Sequence, residues 1–170
     1  MRTILVTYHS RTGRTRTLAE SIAAGAGSVE GTRCLLKPAG EVTEEDFLAA
    51  DGLVAGSPVY FGTMAAELKS LFDRMIGLRK KMGPKIGAAF ATSNHPSGGK
   101  ETTLLSILQA MLIYGWVVAG DPLEAGGHYG LACAGAPDGP ACRDAESLGR
   151  RVALLARDLT PGEPAARTGA

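Results

Sequence analysis

Three segments of this 170-residue chain combine residue types that could do chemistry, and each follows an apolar stretch. The first is His9-Ser10-Arg11-Thr12-Gly13-Arg14-Thr15, the second Ser57-Pro58-Val59-Tyr60-Phe61-Gly62-Thr63, and the third Thr92-Ser93-Asn94-His95-Pro96-Ser97-Gly98-Gly99. In the first, hydroxyls and backbone N–H groups gather where a helix is expected to start. The unpaired amides and the positive end of the helix dipole favour an anion there. A helix cap needs one hydroxyl, whereas this run supplies Ser10, Thr12 and Thr15 with Arg11 and Arg14 beside them. That density of donors points to a phosphate.

Several phosphate chemistries are excluded by residue type. A Walker A loop needs Gly-Lys followed by Ser or Thr, but Gly99-Lys100 is followed by Glu101. A dinucleotide fingerprint needs GxGxxG directly after the first strand. Gly25-Ala26-Gly27 instead falls at the far end of the first helix, where glycines are expected to terminate it. A cysteine phosphatase needs a thiolate in its anion loop, and Cys34, Cys133 and Cys142 are all distant from this one. A phosphoaspartate receiver needs acidic residues where this chain has Tyr8-His9-Ser10.

The elements that must position these loops follow from periodicity. Residues 2–8 form a β-rich apolar run, and residues 13–26 carry Leu18, Ile22 and Ala26 on one helical face. Residues 32–38 predict a second strand, Thr43-Glu44-Glu45-Asp46 a capped helical turn, and residues 51–56 a third strand. Leu68, Leu71, Phe72 and Met75 predict one helix over 64–81, and residues 85–92 a fourth strand. A helix over 101–114 is expected to turn Leu104, Leu105, Leu108 and Leu112 inward, followed by a fifth strand at 116–119. A Gly/Pro-rich stretch over 121–140 precedes a last helix at 143–159. Strands that read as continuous apolar runs and alternate with helices predict a doubly wound α/β domain. Its five-stranded parallel sheet would be covered by helices on both faces, over residues 1–160, with a disordered tail at 161–170. Ligands in such folds sit beyond the carboxyl ends of the strands, where the three loops converge.

Composition narrows the classes further. With 18 Lys plus Arg against 17 Asp plus Glu, the net charge of +1 supplies no field for nucleic acid or an anionic membrane. The longest mostly apolar run, 110–119, is too short to span a bilayer, and no leader-like segment precedes Ile4-Leu5-Val6. A soluble cytoplasmic protein without membrane insertion is expected. The 3 cysteines lack CxxC or zinc-ligand spacing, so neither a disulfide framework nor a metal site is expected.

At this point the residues carry a resemblance. Ser10-x-Thr12-Gly13-x-Thr15 resembles the flavodoxin phosphate loop. Gly56-Ser57-Pro58-Val59-Tyr60-Phe61-Gly62-Thr63-Met64 followed by Leu68-Lys69-Ser70-Leu71-Phe72-Asp73-Arg74 is similar to the second loop and helix of the flavodoxin-like NAD(P)H:quinone oxidoreductases, also called the Trp-repressor-binding-protein family. Gly98-Gly99-Lys100-Glu101 and Gly126-Gly127-His128-Tyr129-Gly130 resemble that family's third and fourth segments in order and approximate spacing. The chain departs from the family where Ser97 replaces a frequent His and His128 a usual Pro.

The resemblance implies a flavodoxin-like fold and noncovalent FMN. Ser10, Arg11, Thr12, Gly13, Arg14 and Thr15 would surround the phosphate. Pro58, Val59, Tyr60, Phe61, Gly62, Thr92, Ser93, Asn94, Gly98 and Gly99 would edge the ring. It further implies hydride transfer from NAD(P)H to a quinone or similar small acceptor, and a homo-oligomer, dimer or tetramer. The alternatives are a flavodoxin that carries single electrons between proteins, and a flavin-binding protein without turnover. Carriers tend to be strongly acidic for docking on basic partners, which the balanced charge here does not match.

His128 is the candidate catalytic residue, orienting nicotinamide or quinone or giving a proton to reduced substrate, with a solvated loop histidine as its bland reading. His9 is read as structural, and His95 as either near the flavin or on the surface. Of Tyr60 and Phe61, adjacent in a Pro/Gly loop, one is expected to face ligand. Trp116 is read as core, Arg79-Lys80-Lys81 as a helix-end charge run, Arg150 and Arg151 as a solvated face, and the cysteines as small core or loop residues.

Overall fold

A computed structural model describes residues 1–159, so the expected tail at 161–170 lies outside the described residues. Six strands are present: β1 (Arg2–Tyr8), β2 (Thr32–Pro38), β3 (Gly52–Pro58), β4 (Ile86–Ser93), β5 (Val117–Val118) and β6 (Leu131–Ala134). They alternate with α1 (Arg14–Gly27), α2 (Glu44–Ala49), α3 (Ala66–Arg74), α4 (Lys100–Ile113) and α5 (Gly139–Leu159). All strand pairs are parallel, in the order β2-β1-β3-β4-β5, with β6 also paired to β4.

The sixth strand lies inside the stretch expected to be irregular. Its pairing explains why: β5 pairs with Ile86 and Gly87 at the start of β4, and β6 pairs with Phe90 through Ser93 at its end. The two segments share one edge of β4, so the fifth strand position is interrupted by a loop over 119–130. At four residues, β6 is too short for its alternation to stand out among the surrounding glycines.

The sheet buries both faces. Along β1, Leu5 joins Phe47, Leu53, Leu68, Leu71, Leu104 and Trp116 on one side, while Ile4 and Val6 join Leu18, Ile22, Val54, Phe90 and Val152 on the other. A parallel sheet covered in this way has continuous apolar strands, and every β4 residue is buried. On the first face Phe47, Tyr114 and Trp116 stack with ring centroids 5.2–5.6 Å apart. The Tyr114 hydroxyl donates to Phe72 O at 2.6 Å, and burial pushes the phenol up to about 12.

On the second face α1 and α5 meet backbone to backbone. A Cβ on Gly25 would lie 2.0 Å from Glu146 O, and one on Gly149 would lie 2.0 Å from Ile22 O. Gly25 is thus a helix-contact glycine inside α1, not the expected helix terminator, because the helix continues to Gly27.

Two helical expectations are corrected. The single helix predicted over 64–81 divides into α3 and a 3-10 segment at Ile76–Lys81. Gly77 weakens the α-helix there, and the buried Met75 and Leu78, three residues apart, suit three residues per turn. In α4, Leu104 and Leu108 face inward as expected, together with Thr103, Ile107 and Met111, but Leu105 and Leu112 face solvent. This helix is apolar on nearly every side, so periodicity does not choose its buried face. The capping box at Thr43 is present: Asp46 N donates to Thr43 Oγ1 at 3.2 Å, and Thr43 N to Asp46 Oδ2 at 2.9 Å.

Candidate active-site cleft

The three loops singled out by composition all emerge at the carboxyl ends of β1, β3 and β4, which are adjacent in the sheet. Together they line one cleft, formed by Arg11, Thr12, Arg14, Thr15, Pro58, Val59, Tyr60, Thr92, Ser93 and Asn94. Loop composition in sequence therefore converts to proximity in space because three parallel strands present their ends side by side.

The first loop is built to leave donors free. Gly13, in the left-handed region at φ +89°, starts α1 with no side-chain cap. Ser10 Oγ turns inward and accepts from Gly13 N at 3.1 Å and Arg16 N at 3.4 Å. It holds the loop's shape, and the amides of Arg11, Thr12, Arg14 and Thr15 find no such acceptor. Arg11 and Arg14 form no ion pair among the described residues. Arg14 Nη1 instead donates to Asn94 Oδ1 at 2.7 Å, tying the first loop to the third. Beneath them the Thr15 and Thr92 hydroxyls share a buried hydrogen bond of 2.8 Å. The result is a concentration of positive charge and N–H donors over a helix N-terminus, which is the chemistry of an anion site.

The second and third loops form the wall. Tyr60 and Thr63 exchange two backbone hydrogen bonds of 3.2 Å across Phe61-Gly62, both at positive φ, 52° and 78°. This is a tight two-residue turn of the primed type, which favours Asn or Gly at its first corner over Phe. Phe61 points fully into solvent and does not line the cleft, whereas Tyr60 does. Gly62 and Gly99 pack against each other: a Cβ on Gly99, itself at φ +81°, would sit 3.0 Å from Gly62 Cα. A Cβ on Gly98 would press on His95 O at 2.8 Å. These glycines and Ser10 and Gly13 shape the cleft from behind its surface.

His128 lies elsewhere. It is exposed and lines a neighbouring depression with Lys100, Asp121 and Asp144, and its backbone N donates to Asp121 Oδ1 at 2.6 Å. His95 is exposed; its Nδ1 accepts from Ser97 N at 3.1 Å within its own loop. His9 packs edge-on to Tyr60 at 6.2 Å, with Nε2 3.5 Å from Glu67 Oε1 but outside hydrogen-bond geometry. It braces the second loop, in keeping with its structural reading. Residue-type reasoning passed over Asp121 and Asp144 because single acidic residues in an irregular stretch and at a helix start give no spacing signal.

Comparison with known proteins decides the lineage. The sequence profile of the family described as NADPH-dependent FMN reductase matches residues 27–126, more than half of the chain. The chain belongs to this family. The matched region of this FMN reductase family member includes the second and third cleft loops and begins after the first. It is 33% identical over 190 residues to an NAD(P)H dehydrogenase (quinone) of Archaeoglobus fulgidus, covering 94% of this chain and all of that one. It is 41% identical over 159 residues to a flavodoxin of Aquifex aeolicus, covering 88% of this chain and 84% of that one. Its fold matches the crystal structure of a flavodoxin, WrbA-like protein from Agrobacterium tumefaciens with TM-score 0.79 and 24% identity, over 92% of this chain and 98% of that one. The flavodoxin-like architecture expected from the loops is borne out.

Proposed function

We propose that this chain is an FMN-dependent oxidoreductase that takes a hydride from NAD(P)H and delivers two electrons to a quinone or similar small acceptor. The observation that carries the reading is the start of α1 at Gly13, which brings no capping side chain of its own and leaves the amides of Arg14 and Thr15 free. Its free amides and two arginines that form no ion pair among the described residues face a cleft whose other walls come from the Pro58-Val59-Tyr60 and Thr92-Ser93-Asn94 segments. The donor set fits FMN: Arg11, Arg14 and the amides of 11, 12, 14 and 15 match a phosphomonoester, and the Thr15–Thr92 pair closes the floor beneath it.

Pro58, Val59 and Tyr60 give an apolar edge for a flat ring, and Thr92, Ser93 and Asn94 give polar partners for its pyrimidine end. Gly62, Gly98 and Gly99 keep the wall thin enough for close approach. Bound FMN supplies hydride acceptance and delivery, while the protein binds it, fixes its orientation and leaves one side open to donor and acceptor. The relatives named as quinone dehydrogenases support this reading. His128, outside the cleft, is given no proton-transfer step. Binding tests the site: FMN should bind far more tightly than riboflavin, which has the ring without the phosphate, and equal affinity for the two would contradict it.

A single-electron carrier is the second reading, favoured by the Aquifex relative's name and by the fully exposed Phe61. Against it stands the balanced net charge of +1, where carriers that dock on basic partners tend to be strongly acidic. A redox titration separates them, since a carrier takes up its electrons in two resolved one-electron steps. We further place the protein in the cytoplasm as a homo-oligomer. The three thiols are unpaired, and no helix among the described residues is long and apolar enough to cross a membrane. The exposed Leu105, Leu112, Ile113 and Val117 make an apolar stripe suited to a second copy. Light scattering that returns the mass of a single 17.6 kDa chain at micromolar concentration would contradict that placement.

A further inference from the structure

The two ends of the cleft's second wall converge on one imidazole from a different strand. His9 stands just after β1, where its backbone N donates to Gly56 O of β3 at 3.1 Å. From there its ring packs edge-on against Tyr60, with centroids 6.2 Å apart, while Nε2 lies 3.5 Å from Glu67 Oε1 in the first turn of α3. Residues 60 and 67 bracket the Tyr60–Thr63 turn and the entry to α3. His9 therefore touches both ends of the segment that carries Tyr60 to the cleft.

The placement makes this ring sensitive to its own charge. Its side chain is 18% exposed and Nε2 is enclosed, yet that nitrogen has no hydrogen-bond partner. A neutral ring leaves the enclosed nitrogen unsatisfied, whereas a protonated ring turns a positively charged N–H toward a carboxylate. The two forms pull on Glu67 with different strength. Tyr8 and Arg11 face the same depression from His9's own strand end, Arg16 from α1 and Glu67 from α3, with Tyr60 packed on the ring from the second loop. The 38–40 segment after β2 brings no charge. Glu67 favours the charged ring and the two arginines oppose it. Arg16 is engaged by Glu20 at 2.8 Å, and Glu67 alone lies within ion-pair distance of His9 among the described residues.

We propose that His9 is a positioning residue for the flavin ring. Protonated, it draws Glu67 inward, closes the 60–67 segment and seats Tyr60 against the ring, so the cleft holds flavin more tightly at low pH. Histidine is the side chain whose charge changes between pH 5 and 8, so the effect falls in that interval. The inference rests on the oxidoreductase reading for its ligand, while the clamp is built from this chain's own residues.

The experiment measures riboflavin affinity against pH by fluorescence quenching, because the phosphate of FMN itself titrates near pH 6. With Glu67 half exposed, the pair acts at the scale of a surface ion pair, and Kd should fall about threefold from pH 8 to pH 5. His9→Gln and Glu67→Gln should each abolish that fall while matching the native affinity at pH 8; a merely structural role would shift affinity at every pH. FMN, whose phosphate titrates alike in all three chains, should show the same threefold excess in the native chain. Without ligand, NMR should show the Tyr60 ring protons moving with the midpoint of the His9 ring proton, the one absent from His9→Gln. Saturating riboflavin should raise that midpoint by about 0.5 pH unit, the reciprocal of the threefold change. An affinity flat with pH, or a slope that persists in His9→Gln or Glu67→Gln, overturns the proposal. Tyr60 resonances that ignore the His9 titration overturn it whether or not flavin binds. Failure of both flavins to bind at any pH, with Tyr60 still following His9, overturns instead the flavin reading of the cleft.

Discussion

Arg14 illustrates how a single side chain serves two ends of the cleft. Its guanidinium is held by Asn94 at 2.7 Å, so it is preordered over the start of α1. Arg14→Ala should therefore weaken FMN by about 2 kcal/mol, the scale of a charge-assisted hydrogen bond. Riboflavin affinity should be unchanged, as fluorescence quenching titrations would show. Equal losses for both ligands would mean that Arg14 acts on the ring wall and not on phosphate. Tyr114, by contrast, reports on the core. Its phenol is raised to about 12 from an ordinary value near 10, so the native state holds a proton that the unfolded state loses first. The stability it contributes is present below pH 10 and lost as pH rises toward 12. Denaturation midpoints should fall over that window in the native chain and fall less in Tyr114→Phe. The residue scale was the most legible in sequence: Ser10, Thr15, Thr92 and Asn94 stand out by type within their loops. What could not be read was direction. Phe61 and Tyr60 are equivalent in composition, and only the primed turn sends one into solvent and the other to the cleft.

At the scale of elements, α1 is held in place by its contact with α5, and this contact fixes the anion loop at its start. The missing side chains at Gly25 and Gly149 permit it. Gly149→Ala should push the helices apart at a cost of about 2 kcal/mol, typical of overpacking. It should lower the melting temperature while FMN still protects in proportion to its affinity. An unchanged melting temperature would show that the helices do not meet as closely as described. Strands and helices with strong periodicity were readable to within a few residues, as with β1, β2 and α1. The failures have physical causes. Gly77 and the three-residue spacing of Met75 and Leu78 divide a helix that heptad-like spacing joins. The nearly uniform apolarity of α4 hides which face is buried. The four residues of β6 become a strand only because β4 offers an unpaired edge there.

At the scale of the whole molecule, the doubly wound order sets three loop-bearing strand ends side by side, and the interrupted edge adds a second cavity next to them. The alternation of apolar strands with helices made the first arrangement predictable. The second depends on a tertiary pairing that no local pattern encodes. Balanced charge has its own consequence: without a strong field, reaction with a small quinone should vary little with ionic strength, whereas an electrostatically docked protein acceptor would react more slowly as salt rises. Stopped-flow rates between low and physiological salt check this. The central claim is hydride acceptance from a nicotinamide donor in the three-loop cleft. Its most direct test is to mix the FMN-loaded protein anaerobically with NADH or NADPH and follow the oxidised flavin absorbance. The account predicts rapid bleaching with at least one of the two nucleotides, and recovery of the yellow colour on adding a quinone. A flavin that stays oxidised with both nucleotides and bleaches only with dithionite would contradict it.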